Sequence, residues 1–125
     1  MSKRKERVLI FVNEVNTNNL EKEYKLDLLK HYCKNKNYKI INKEIIGNLT
    51  TFDMVNMICD NLFENELLSK VVVFNVDELS QNMEGLFSIY TILKELDIQI
   101  ESINDGIIGK DKTFSLSLNY NGLPF

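Results

Sequence analysis

Two short polar stretches, residues 13–17 (NEVNT) and 77–82 (DELSQN), hold most of the side chains that could do chemistry. They supply three carboxylates (Glu14, Asp77 and Glu78), two hydroxyls (Thr17 and Ser80) and the amides Asn16 and Gln81. Converging carboxylates can hold Mg²⁺ or accept a phosphoryl group, and an activated hydroxyl is a common nucleophile. Neither chemistry is complete here. A phosphoacceptor of the receiver type wants an acidic pair after the first strand, where this chain has Asn13-Glu14. Nothing near the three acids supplies the further oxygen ligands that Mg²⁺ or Ca²⁺ prefers. The expectation is therefore an open cluster of solvated acids, with no metal and no other cofactor. His31 is the only histidine, so a histidine-based metal cluster is excluded. Residues 106–110 (GIIGK) have the glycines and lysine of a phosphate loop but not its spacing.

The remaining reactive or charged groups read more simply. Cys33 and Cys59 fall at apolar positions of two different helices, as buried thiols of a reduced cytosol do. Both arginines, Arg4 and Arg7, stand in the first seven residues with Lys3 and Lys5. This basic tail is the one place expected to touch DNA, and only weakly. The formal net charge is −3, so the body of the chain does not advertise nucleic-acid binding. Alanine is absent while Asn, Lys and Ile abound, a skew that makes residue counts poor evidence. No apolar run approaches the roughly 18 residues needed to cross a bilayer. The N-terminus lacks the apolar core of a secretion signal, so a cytoplasmic protein with no membrane contact is expected.

The two polar stretches must be positioned by the strands that precede them. Residues 7–13 (RVLIFVN) and 71–76 (VVVFNV) are nearly continuous apolar runs, the pattern of strands buried on both faces. Between and after them the pattern alternates. A helix is expected over residues 20–34, with Leu20, Tyr24, Leu28 and Tyr32 as its apolar stripe and Leu29 and Cys33 beside it. A second strand follows at residues 38–46. A second helix, capped by Thr51 or Asp53, should run to about Leu68 with Val55, Ile58, Cys59, Leu62 and Phe63 inward. A third helix over residues 82–96 and a fourth strand over 98–103 complete the order βαβαβαβ. Such an order predicts a single three-layer α/β domain spanning residues 1–125, its sheet mainly parallel and its helices on both faces. Residues 1–6 form the tail. Within an extension over residues 107–125, Thr113–Asn119 (TFSLSLN) alternates and would add a fifth, edge strand. In such sheets ligands bind at the carboxyl ends of the strands, where both polar stretches fall.

Read with that element order, two segments carry a family likeness. Ile10–Thr17 (IFVNEVNT) resembles the first strand and loop of the serine recombinase (resolvase/invertase) catalytic domain. Val76–Asn82 (VDELSQN) resembles that family's Asp-Arg-Leu-Ser-Arg-Asn signature after the third strand. Gly85-Leu86, the helix end at 93–96 and residues 98–106 continue the likeness, which spans roughly residues 7–106. The resemblance implies a resolvase-like fold with sheet order 2-1-3-4.

It also implies which positions would be catalytic. Asp77, Leu79, Ser80 and Asn82 match the signature. Asn16 stands where the family has its nucleophilic serine, Glu14 where it has an arginine, and Glu78 and Gln81 where it has two more. The loop at residues 47–54 offers no arginine either. The family's reaction attacks a DNA phosphodiester with a hydroxyl and forms a covalent protein–DNA ester; an amide cannot be that nucleophile. Thr17 is the one neighbouring hydroxyl that could stand in. The resemblance thus implies a degenerate site-specific recombinase domain, acting in DNA recombination or its regulation. It would work through a protein partner or self-association and keep weak DNA contacts, or contacts made by a C-terminal region beyond residue 125. The alternatives are an active recombinase with atypical residues and a phosphate- or small-molecule-binding α/β domain.

Overall fold

Val8–Val12 and Val71–Val73 are apolar without interruption because both stretches are fully buried between two layers. The structure, a computed structural model, describes residues 5–15, 17–47, 49–80 and 82–108. Its elements are β1 (Arg7–Asn13), α1 (Asn19–Asn35), β2 (Lys39–Ile46), α2 (Thr51–Glu64), β3 (Leu68–Val73), a 3₁₀ turn (Val76–Glu78), α3 (Met83–Glu95), β4 (Gln99–Ser102) and β5 (Gly106–Ile107). The sheet order is β2-β1-β3-β4-β5. The first four strands are parallel and β5 runs antiparallel to β4. The expected order 2-1-3-4, with β1 and β3 adjacent in the middle, is the one found.

Strand alternation divides the core between the faces. Val8, Ile10, Val12 and Val72 pack under α1 with Leu26, Leu29 and Cys33. Leu9, Phe11, Val71, Val73 and Ile100 pack under α2 and α3 with Met54, Ile58, Leu86, Ile89 and Leu93. All three helices start at the carboxyl edge of the sheet, and each is capped by a side chain. Asn18 accepts from the Glu21 N–H and Asn82 from the Gly85 N–H, while Thr50 and Asp53 form a reciprocal capping box. Among the described residues, no helix is long and apolar enough to cross a membrane.

Several expectations need correcting. The buried face of α1 is Leu26, Leu29 and Cys33; Leu20 is 80% exposed and Tyr24 64%. Helix α2 ends at Glu64, leaving Phe63 on the surface and Leu68 at the start of β3. Strand β3 accordingly ends at Val73, and Val76 belongs to the turn. Cys59 is only half-buried. The edge strand described is Gly106–Ile107; the one expected at Thr113–Asn119 lies outside the described residues. Arg7 opens β1 with its Nε enclosed by protein, so it is not part of a free tail.

Candidate functional site

Asn13, the last residue of β1, organises the carboxyl edge. Its backbone N–H donates to Glu78 Oε1 at 3.0 Å and its Nδ2 donates to the Glu78 carbonyl at 3.2 Å. Its own Oδ1 accepts from the Val15 N–H at 2.8 Å, which turns the chain sharply away from the sheet. Strands β1 and β3 are neighbours, so the turn after β3 delivers Glu78 directly onto the end of β1. Glu78 is 6% exposed. The Lys25 ammonium, from α1, stands 2.9 Å from Glu78 Oε2, an ion-pair distance whose direction leaves Oε2 without a well-formed hydrogen bond. The same ammonium lies 5.8 Å from the centre of the Phe74 ring.

The other acids are placed differently. Glu14 is largely exposed and faces Lys22 at 3.6 Å. Asp77 is exposed on the turn. The expected open cluster of solvated acids is therefore wrong for Glu78, and the repulsive surface it implied is offset by two lysines of α1. Sequence reasoning passed over Lys22 and Lys25. Their signal was present: they lie three apart near the start of the helix that begins at this edge. Among the described residues, no group of three or more His, Cys, Asp or Glu is arranged to hold a metal ion.

The hydroxyls are occupied locally. Thr17 donates to the Glu14 carbonyl at 2.9 Å, folding back on its own loop. Ser80 donates to the Asn82 carbonyl at 3.2 Å. Ser80 and Asn82 crowd Gly85, where an added Cβ would come within 2.5 Å of Ser80 Oγ. Beside them opens a cavity of about 300 Å³, lined by Asn13, Thr50, Met54, Glu78, Ser80 and Asn82 among others. A second, of about 210 Å³, is lined by Asn13, Val15, Lys25, Asn75, Asp77 and Glu78. Asn16, Gln81, Lys3 and Arg4 lie outside the described residues; Lys5 is exposed at the amino end of β1.

A second polar constellation lies on the α1 face of β3 and β4. Lys70 and Glu101, 2% and 1% exposed, pair at 2.9 Å. Tyr38 donates to Glu101 Oε1 at 2.7 Å and accepts from Lys70 at 2.8 Å, while the Tyr32 hydroxyl donates to Glu101 Oε2. Burial works against the charge of Glu101, but the bonds from Tyr32, Tyr38 and Lys70 outweigh it and hold the carboxyl below its ordinary range. Burial likewise opposes the charge of Lys70, and the bonds to Tyr38 and Glu101 outweigh it, raising that ammonium. Burial, aided by the charge of Glu101, pushes the neighbouring Cys33 thiol up to about 11.

No protein-family model matches the chain, and no curated protein matches it by sequence. Solved structures do match its fold. The N-terminal catalytic domain of TP901-1 integrase is 18% identical, with 91% of this chain and 89% of that one covered and a TM-score of 0.69. A resolvase family site-specific recombinase from Streptococcus pneumoniae is also 18% identical, with 94% and 88% covered and a TM-score of 0.73. The C-terminal catalytic domain of ISC1926 TnpA, an IS607-like serine recombinase, is 16% identical, with 92% and 78% covered and a TM-score of 0.59. At such identities the likeness establishes a fold: a resolvase-like α/β domain.

Proposed function

We propose that this chain is a serine-recombinase-like domain that does not cut DNA. It acts through association with itself or with an active recombinase, in DNA recombination or its regulation. The reading draws on the motif resemblance at both polar stretches and on the shared fold. One observation carries it: Glu78, at a position where the resemblance implies a phosphate-binding arginine, is a buried carboxylate held by Asn13 and Lys25. Charge developing on a transferring phosphoryl group needs cations or hydrogen-bond donors aimed at it. Loss of one such contact costs about 3–4 kcal/mol, on the order of a hundredfold or more in rate. Here Glu14, Asn16, Glu78 and Gln81 stand at all four implied positions. Such losses are not additive, but together they silence the site.

The test incubates supercoiled DNA bearing a partner recombinase's site with the wild type, with Asn16→Ser, and with a variant that also carries Glu14→Arg, Glu78→Arg and Gln81→Arg. Products are trapped in denaturant. No covalent adduct is expected from the wild type or from Asn16→Ser alone, since a hydroxyl without cations leaves the phosphate unstabilised. An adduct from the wild type would end the non-cleaving reading. Co-purification with a recombinase that supplies the catalytic residues would support the association it implies.

A further inference from the structure

We propose that Glu78 is an internal ligand: its carboxylate occupies an oxyanion site made by the Lys25 ammonium and the Asn13 N–H, and so keeps phosphate-type anions out. This deepens the reading of the carboxyl edge given above and rests on it. A carboxylate oxygen and a phosphate oxygen ask for the same partners, here an ammonium at ion-pair distance and a backbone N–H that donates a charge-assisted bond. Both donors converge on Glu78, at 2.9 and 3.0 Å, from different elements, α1 and the end of β1. Neither depends on Glu78 alone for its position. Asn13 is fixed by the sheet and by its bond to the Val15 N–H, and the Lys25 ammonium lies over the Phe74 ring. The carboxylate is borne on a single 3₁₀ turn whose N-cap, Asn75, makes no side-chain capping bond.

The pair also borders open space. The cavity of about 210 Å³ is lined by Asn13, Lys25 and Glu78 together, so an anion freed of its competitor has room beside both donors. With Lys25, Asp77 and Glu78 on its wall the cavity carries a net negative charge, and removing the Glu78 carboxylate brings it to neutral. The exposed Asp77 on the same cavity opposes an anion, so the gain is measured against that background. Lys25 keeps about a fifth of its side chain in solvent, and the Glu78→Ala variant therefore leaves no sealed, unpaired charge.

The experiment titrates inorganic phosphate into the full chain and follows the Asn13 amide resonance and the melting temperature. Wild type should bind weakly. Glu78→Ala should bind about tenfold tighter or more, the gain expected when one charged competitor is removed. Adding Lys25→Met should cancel that gain. Equal affinity of wild type and Glu78→Ala, or a gain that survives Lys25→Met, would overturn the proposal. Should Glu78→Ala fail to fold, Glu78→Gln decides: it keeps the shape but not the charge, so tighter binding supports the internal ligand and unchanged binding refutes it. The cleavage assay stays separate. A wild-type adduct defeats the proposed function, whereas a failed phosphate titration defeats only the internal ligand.

Discussion

Lys70 sits in a strand whose next three residues are valines, and its charge is met by Glu101, Tyr38 and a longer contact to Glu6 at 3.6 Å. Removing one partner of such a buried pair strands the other. Lys70→Met should therefore cost about 3–5 kcal/mol in a denaturant titration, a large part of the stability of an ordinary domain. The pair also sets an acid limit. The folded carboxyl of Glu101 titrates below its unfolded value of about 4.3, so its contribution is complete above that pH. It is lost as the pH falls through the lower, folded value. Lys70 is raised above the unfolded lysine value of about 10.4, so its contribution is intact below that pH and lost as the pH rises through the folded value. Stability should be flat with respect to this pair between those limits. Glu101→Gln should remove the part of the acid slope that the pair creates, measured by denaturant midpoints across pH. The sequence hid this network for a simple reason. Residues 98–101 (IQIE) alternate, which reads Glu101 as facing water, and the face it points to is covered by tyrosines distant in the chain.

At the scale of elements, the central placement of β1 and β3 was legible in their uninterrupted apolar runs, while the full order 2-1-3-4 followed from the family resemblance. The cap of α2 is Thr50, one residue before the expected Thr51, with Asp53 completing the capping box. The burial of α1 was legible only in part: Leu29 and Cys33 are buried as expected, but Leu20 and Tyr24 face solvent and Leu26 lies on the sheet instead, a choice only the sheet makes. Glu78 posed the same problem, since its partner Lys25 belongs to a different element. The start of α3 offers a direct check on local packing. Gly85→Ala would set a Cβ 2.5 Å from Ser80 Oγ, so it should destabilise by about 1–3 kcal/mol despite the better helix propensity of alanine. A Ser80→Ala background removes the 2.5 Å contact and leaves Asn82 Oδ1 at 3.1 Å, so the larger part of the cost should vanish, a coupling that a double-mutant cycle measures. At the other end of α3, Asp97 holds φ at 62° next to the helix C-terminus. Asp97→Gly should stabilise by about 0.5–1 kcal/mol, relieving both the left-handed backbone and a misplaced negative charge.

For the whole molecule, the charge distribution limits what it can grip. With a net charge of −3 and the lysines of the carboxyl edge already paired to acids, few phosphates can be neutralised at once. Duplex DNA binding should be weak, with a logarithmic salt slope shallower than about −3, since each neutralised phosphate contributes about −0.9. Deleting residues 1–5 should abolish it, and a fluorescence anisotropy titration against salt reads both quantities; the deletion stops short of Arg7 because that residue belongs to β1. Cys33 offers a different kind of reading. With its thiol pushed up to about 11 and its sulfur fully enclosed, only on the order of a thousandth would be thiolate at pH 8, and none of it is accessible while α1 lies on the sheet. Its alkylation therefore becomes a clock for how often α1 lifts away. A reagent that labels Cys59 first and Cys33 slowly would time that opening without perturbing the fold, and the rate would convert into the free energy that holds the helix down.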